Sequence, residues 1–280
     1  MSLEELTKKT YNRIMAKESK YDKVLYTTDH HYPYHSEEMK KVELDILREE
    51  KPKYHVLGGD WIDASGLSSF LPKAGYIDET QNEVDGFVQY LSEMHVASPD
   101  TKRIMIYGNH DWARLQRAKA ESPFGLAGLR VLNFETLFKE AATFYNVEIG
   151  DLDFTKEWFL GKGMKFIHGD NRMDPMIKGG VTGMRRTVSE YPGDYHIMMG
   201  HGHRKQVGVH AFRKRQVHMF GAMMDVNKVG YTTHSQYENG LGLVHYSPNS
   251  RPNPIYHIEN MKKEENGDVL LNGKLYNGRK

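Results

Sequence analysis

Cysteine is missing from all 280 residues. That excludes disulfide bridges, thiolate metal sites and cysteine nucleophiles, and it fits a reducing compartment. Long apolar runs are missing as well: nothing approaches the roughly 20 consecutive apolar residues that a membrane-spanning helix needs. The opening "MSLEELTKKTYNRIMAKESK" is charged throughout and lacks the apolar segment of a secretory signal. Net charge is small too, +1 from 38 basic and 37 acidic side chains. No global field therefore demands nucleic acid or an anionic membrane, although a local basic face stays open. The chain reads as a soluble cytoplasmic protein with no membrane contact and no obligate protein partner. What is present is enough for a core, with 39% hydrophobic and 27% charged residues, and one count stands out: fifteen histidines.

Residues 3–19 read as an exposed helix with Leu3, Leu6, Ile14 and Met15 as its few apolar contacts. A repeating unit follows. Strand "KVLYTT" leads to helix "SEEMKKVELDILREEK", strand "YHVLGGD", helix "NEVDGFVQYLSEMHVA" and strand "KRIMIYGNHD". Such alternation implies right-handed βαβ crossovers and a mainly parallel sheet. Beyond residue 145 short strands crowd together: "VEIG", "EWFLG", "MKFIHGD", "HIMMGHGH", "QVGVHAF", "QVHMFGAM", "GLVHYS" and "PIYHIEN", with one helix candidate in "VTGMRRTVSEY". They predict a second, mixed sheet packed on the first. The expected fold class is α/β, two packed mixed β-sheets flanked by helices. Residues 1–260 form a single domain, with 1–20 appended as a helix, and 261–280 a polar tail in which "LLNGKLY" is either an added hairpin or a loose end.

Five strand ends carry the same kinds of side chain: Asp29 and His31 in "TTDHHYPYH"; Asp60 and Asp63 in "GGDWID"; Asn109, His110 and Asp111 in "YGNHDWAR"; His168 in "FIHGDN"; and His201 and His203 in "GHGH". Singly, each has a bland reading: an Asp after a strand is usually a turn former, and a lone His is usually part of a core or a loop. The coincidence of five is the signal, because parallel α/β sheets bind ligands at the carboxyl ends of their strands. Together they form a set of oxygen and imidazole donors rich enough for two ions. Spacing alone leaves open whether His201 and His203 serve one metal, two metals or none.

The ordered set Asp29-x-His31, Gly59-Asp60-x-x-Asp63, Gly108-Asn109-His110-Asp111, His168 and Gly200-His201-x-His203 resembles the calcineurin-like metallophosphoesterase family, in the style of its small phage and bacterial members, over about residues 23 to 250. The resemblance implies a four-layer αββα sandwich with a dinuclear centre between the sheets. It implies that Asp29, His31 and His203 hold one ion, that Asn109, His168 and His201 hold the other, and that Asp60 bridges them. His110 is implied as the histidine beside the scissile phosphate, with Asp111 orienting it and Asp63 standing behind the ligands. Two divalent ions are expected, Mn²⁺ first, with Fe, Zn²⁺ and Ni²⁺ as alternatives. The implied activity is phosphoester hydrolysis by a metal-bridging hydroxide.

The substrate expectation is a phosphodiester of nucleic acid (DNA or RNA) or of a nucleotide, acted on by a phosphodiesterase or nuclease in the cytoplasm, that of a host cell if the chain is phage-encoded. Phosphomonoesterase or protein phosphatase activity is the alternative, and a non-catalytic binding module on the same fold the remote one. Arg204, Lys205 and Arg186 are candidate substrate contacts, set against a bland reading as solvated charges. His30, Tyr32, His35 and Trp112 are candidate pocket walls, whereas Trp61 and the Met198-Met199 pair read as core.

Overall fold

The computed structural model describes residues 21–68, 80–121, 133–169, 194–209, 215–228, 237–247 and 255–278. Side-chain alternation along its central strands decides the layering. Strand β1 (Asp22–Thr27) turns Val24 and Tyr26 to one core and Leu25 to another. In β2 (Tyr54–Leu57) Val56 and Leu57 divide the same way, as do Ile104 and Ile106 against Met105 in β3 (Lys102–Ile106). Burial on both faces is what parallel strands covered on both sides require. These three pair in parallel with β4 (Leu152–Thr155), while β10 (Gly240–Ser247) and β11 (Ile255–Lys262) join antiparallel beyond β1. The six-stranded order is β11-β10-β1-β2-β3-β4.

The second sheet contains β5 (Glu157–Leu160), β6 (Met164–Ile167), β7 (His196–Met199), β8 (Gln206–Val209) and β9 (Gln216–Met219), in the order β5-β6-β7-β9-β8. Its inner strands β6, β7 and β9 run parallel, and its two edges are antiparallel. Leu160, Met164, Phe166, Met198 and Phe220 interleave with Val24, Tyr26, Val56 and Ile104 of the first sheet. Tyr26 ties the layers together: its ring packs on Phe166 and Phe220, and its hydroxyl donates to Ile167 O at 3.0 Å.

Helices α1 (Glu37–Glu50), α2 (Thr80–Ala97) and α4 (Phe134–Tyr145) cover the outer face of the first sheet with a separate core. Ser36 caps α1 by accepting the Met39 N–H, and Glu37 and Glu38 fill its first turn, where the helix dipole favours acidic groups. The short α3 (Arg114–Glu121) follows β3 through one π turn at Asn109–Ala113. None of the described helices is long and apolar enough to cross a membrane.

The two-sheet expectation stands, with corrections to its boundaries. "VEIG" is not a strand; Gly150 takes φ 73°, and pairing begins at Leu152, on the edge of the first sheet. β10 and β11 also belong to the first sheet. Strands that follow the second sheet in sequence thus return to the first. The expected helices at 3–19 and in "VTGMRRTVSEY" lie outside the described residues. "LLNGKLY" forms a hairpin, β12 (Asp268–Leu271) and β13 (Lys274–Asn277), whose turn residues Asn272 and Gly273 both have positive φ, as a tight two-residue hairpin requires. Val269, Leu271 and Tyr276 are buried in the helix-side core, so this tail is not polar throughout. Leu271→Ala should therefore cost about 2–4 kcal/mol of unfolding free energy, measured by urea titration, as other buried leucine truncations do.

Candidate metal centre

Loops at the carboxyl ends of β1, β2, β3, β6 and β7 meet where the sheets face each other. The parallel ladder continues past the strands. Asp29 N–H donates to Gly59 O (3.0 Å), His31 N–H to Asp60 O (2.9 Å) and Asp63 N–H to Tyr32 O (3.0 Å). On the second sheet Gly200 N–H donates to His168 O at 2.9 Å. This framework holds Asp29 (φ 55°), His31 (φ 46°), Asp60 (φ 51°), His201 (φ 65°) and His203 (φ 51°) in left-handed backbone. Each such non-glycine residue costs on the order of 1 kcal/mol or more, and strain of this kind gathers at functional sites.

Two donor sets match the expected ligands, beside a third cluster of His31, Asp63 and His110. Asp29, His31 and His203 place one potential ligand atom each within 4.8 Å of the others, and so do Asp60, His168 and His201. Asp29 Oδ1 is 3.1 Å from His203 Nε2 and 3.9 Å from His31 Nε2. Asn109 belongs with the second set, its Oδ1 3.0 Å from His168 Nε2 and 2.9 Å from His201 Nδ1. Asp60 Oδ2 lies between the sets, 3.8 Å from His31 Nε2 and 3.3 Å from His168 Nε2. All seven side chains singled out as ligands are brought to one place.

Several of their remaining polar atoms are engaged behind the site. Asp29 Oδ2 accepts from the Thr28 hydroxyl and from His201 N–H, both at 2.9 Å, and Asp60 Oδ1 accepts from His110 N–H at 2.8 Å. His168 Nδ1–H donates to Gly58 O (2.8 Å) and His31 Nδ1–H to Asp63 Oδ1 (3.0 Å), which leaves the Nε2 lone pairs facing inward. Gly200 allows a tight approach here, since a Cβ on it would sit 2.6 Å from Asp29 Oδ2. Gly108 is equally constrained: a Cβ there would run into the Asp60 carboxylate.

Asp111 does not orient His110, as was expected of it. Its oxygens accept from Gly108 N–H (2.6 Å) and Trp61 N–H (3.1 Å), clamping the β3 loop to the β2 loop. Asp63 takes the orienting place, with its carbonyl 2.9 Å and its Oδ1 3.2 Å from His110 Nδ1. Arg114, passed over in the sequence, places Nη2 3.1 Å from His110 Nε2. Its only signal was a position one helical turn after His110. His30 is not a pocket wall: it is buried in the helix-side layer against Phe87 and Tyr90, with Nε2 3.3 Å from Glu43. Tyr32 stacks on His35 at 4.8 Å. Arg204 is half-buried, Lys205 is exposed with its amide donating to Glu238, and Arg186 lies outside the described residues.

The calcineurin-like phosphoesterase family model matches residues 22–230, most of the chain and every loop of the centre. The protein belongs to the calcineurin-like phosphoesterase family. No curated protein matches it. Solved structures similar to it include Vps29 from Chaetomium thermophilum (11% identity, 92% of this chain and 95% of that one, TM-score 0.44) and Vacuolar Protein Sorting 29 from Cryptosporidium parvum (14%, 92% and 95%, 0.43). Nuclease MPE from Pseudomonas putida is a further one (15%, 83% and 87%, 0.35).

The electrostatics of this centre are those of a site short of positive charge. Burial works to raise Asp29 and Asp60, but the imidazoles opposite, His203 and His168 first, hold both well below the ordinary carboxylate range. Burial likewise opposes a charge on His168, yet Asp60 and then Asp29 push it up to about 10. Burial, then Asp60, pushes Asp111 up to about 7, and burial brings His201 down to about 4. Behind Asp63, Glu83 on α2 accepts from Ala64 N–H and Ser65 Oγ–H, and burial pushes it up to about 7. A carboxyl raised from 4.5 in the unfolded chain contributes stability that is complete below pH 4.5 and lost as pH rises through 7. Glu83→Gln should flatten the fall in Tm across that window, as read by thermal melts from pH 4.5 to 8.

Proposed function

We propose that this phosphoesterase hydrolyses phosphodiesters of nucleotides or nucleic acid at a dinuclear metal centre. The observation that carries the reading is the position of the Asp60 carboxylate between two complete donor sets, with Oδ2 3.8 Å from His31 Nε2 and 3.3 Å from His168 Nε2. The residues fit two divalent ions: inward-facing imidazole nitrogens, carboxylates already satisfied on their outer oxygens, and a neutral Asn109 amide in the second set. Asp29, His31 and His203 would hold one ion, Asn109, His168 and His201 the other, and Asp60 both. Such a pair supplies Lewis acidity toward phosphoryl oxygens and lowers the pKa of a shared water. The oxygen and imidazole donor set favours Mn²⁺ first, and Fe, Zn²⁺ or Ni²⁺ after it.

The chain's own residues do the remaining work. His110, with Nδ1–H held by Asp63, presents Nε2 toward the crevice, where it would meet the leaving group as acid. Burial of the centre strengthens each of these interactions against water. A nucleotide-bearing substrate is favoured by the rim, where Tyr237 and His203 meet edge to face with ring centroids 4.6 Å apart, next to the Arg204 cation. An aromatic face and a guanidinium suit a base and its backbone phosphate.

Treatment with EDTA should abolish hydrolysis of bis-p-nitrophenyl phosphate and Mn²⁺ should restore it; unchanged rates through both steps would sink the metal mechanism. A diester-to-monoester rate ratio above one, against p-nitrophenyl phosphate, supports the diester assignment, and a ratio well below one replaces it with a phosphomonoesterase. His110→Ala should keep its metal content by elemental analysis while kcat falls roughly 10²–10⁴-fold, the usual span for a lost general acid.

A further inference from the structure

We propose that Arg114 is a catalytic residue, whose guanidinium binds the leaving-group oxygen beside His110 as the P–O bond breaks. The inference rests on the phosphoesterase reading above and adds to it a residue outside the motifs quoted from the sequence. Three observations carry it.

The first is placement. Arg114 opens α3 directly after the π turn that holds Asn109 and His110, and its Nη2 is 3.1 Å from His110 Nε2. Since Nδ1 of that ring is committed to Asp63, Nε2 is the nitrogen that faces reacting atoms. It is also 3.9 Å from Asp60 Oδ2, the oxygen between the two donor sets. An oxygen seated against Nε2 is thus within reach of Nη2 as well.

The second is rigidity. Nη1 donates to Asp63 O at 2.5 Å, so one arm of the guanidinium is fixed by the same residue that fixes His110. Imidazole and guanidinium are set relative to each other by a common backbone carbonyl. Preorganised donors aimed at developing charge are worth most in enclosed sites, and the Arg114 side chain is only 16% exposed.

The third is charge. Where an arginine does pair with a carboxylate, the contact is often a close two-point one. The nearest carboxylate oxygen to Arg114 among the described residues, Asp63 Oδ2, is 3.8 Å from Nη1, and the other oxygen of that carboxylate, Oδ1, already faces His31 and His110. Among the described residues the positive charge is therefore only loosely neutralised, and its Nη2 end is turned to His110 Nε2. In the proposed step an oxygen from water forms a new P–O bond as the P–O bond to the leaving group breaks, and the electron pair of the broken bond stays on the leaving oxygen. The proton that neutralises that oxygen comes from His110, and Arg114 contributes charge and a hydrogen bond but transfers no proton.

A leaving-group comparison on the full Mn²⁺-loaded chain tests this, using methyl p-nitrophenyl phosphate and methyl phenyl phosphate. Phenolate is the poorer leaving group and needs more help. Arg114→Ala should lower kcat roughly 10–10²-fold with p-nitrophenolate and at least about tenfold further with phenolate, the scale of one lost oxyanion donor. Bound Mn²⁺ should stay unchanged, and added guanidinium should restore part of the activity to Arg114→Ala but none to His110→Ala. Equal losses with both esters and no rescue would overturn the proposal, as would loss of bound metal. If Arg114→Ala fails to fold by circular dichroism, Arg114→Lys carries the same comparison: a larger loss with phenolate supports the role, and equal losses overturn it. A wild-type chain inert toward both esters would instead overturn the phosphoesterase reading itself.

Discussion

The carboxylate of Asp60 is where the two halves of the molecule meet. One oxygen accepts the His110 amide of the β3 loop, and the other faces His31 from the β1 loop and His168 from the second sheet. Four chain segments, distant in sequence, therefore converge on one buried side chain. That convergence needs both sheets to end at the same level, which Tyr26 helps set by bonding across the core to Ile167, one residue before His168. It also needs Gly108 to have no side chain, because the Asp60 carboxylate fills that space.

Such an arrangement is unfavourable by itself. Asp29, Asp60, Asp63 and Asp111 are all at most 5% exposed, and Asp29 and Asp60, with His31, His201 and His203, hold left-handed backbone. Carboxylates out of water are costly unless charge and hydrogen bonds compensate them. Here histidines and backbone amides provide part of that compensation, and cations held by the inward-facing donors would provide the rest. Two apolar cores, one between the sheets and one under the helices, hold the strained loops in place. A polar cluster inside the second core adds to this. Glu43 on α1 faces His30 and His55 and accepts from the Tyr90 hydroxyl, which anchors the β1 loop between Asp29 and His31 from the far side of the sheet.

Much of this was legible in the sequence, because the chemistry sits where apolar strands stop. "VLYTTD", "HVLGGD", "IMIYGN" and "KFIHG" each announce a strand and its terminal donor together, and the βαβ alternation orders three of those ends in one crevice. Local patterns were less informative about which sheet a strand joins. β4, β10 and β11 look like the strands of the second sheet in composition, and only long-range pairing places them in the first. Helix α4 did carry a readable signal that was not used: Asn133 as N-cap, with Phe134, Phe138, Ala141 and Ala142 at helical spacing.

The roles of Asp63 and Asp111 show where spacing stops being informative. In sequence Asp111 is the neighbour of His110, and Asp63 lies 47 residues away. Adjacent residues on a helical turn point in different directions, however, so a side chain cannot readily hold its neighbour's ring. Asp111 is turned back toward the Gly108 amide, a donor at the start of that turn, and toward the Trp61 amide of the β2 loop. The partner that faces the His110 ring must come from another segment, and the β2 loop, already bonded to the β1 loop through Asp63 N–H and Tyr32 O, is the one in position. Arg114 follows the same rule in the opposite sense: four residues after His110, it lies on the same face, within reach of the nitrogen that Asp63 leaves open.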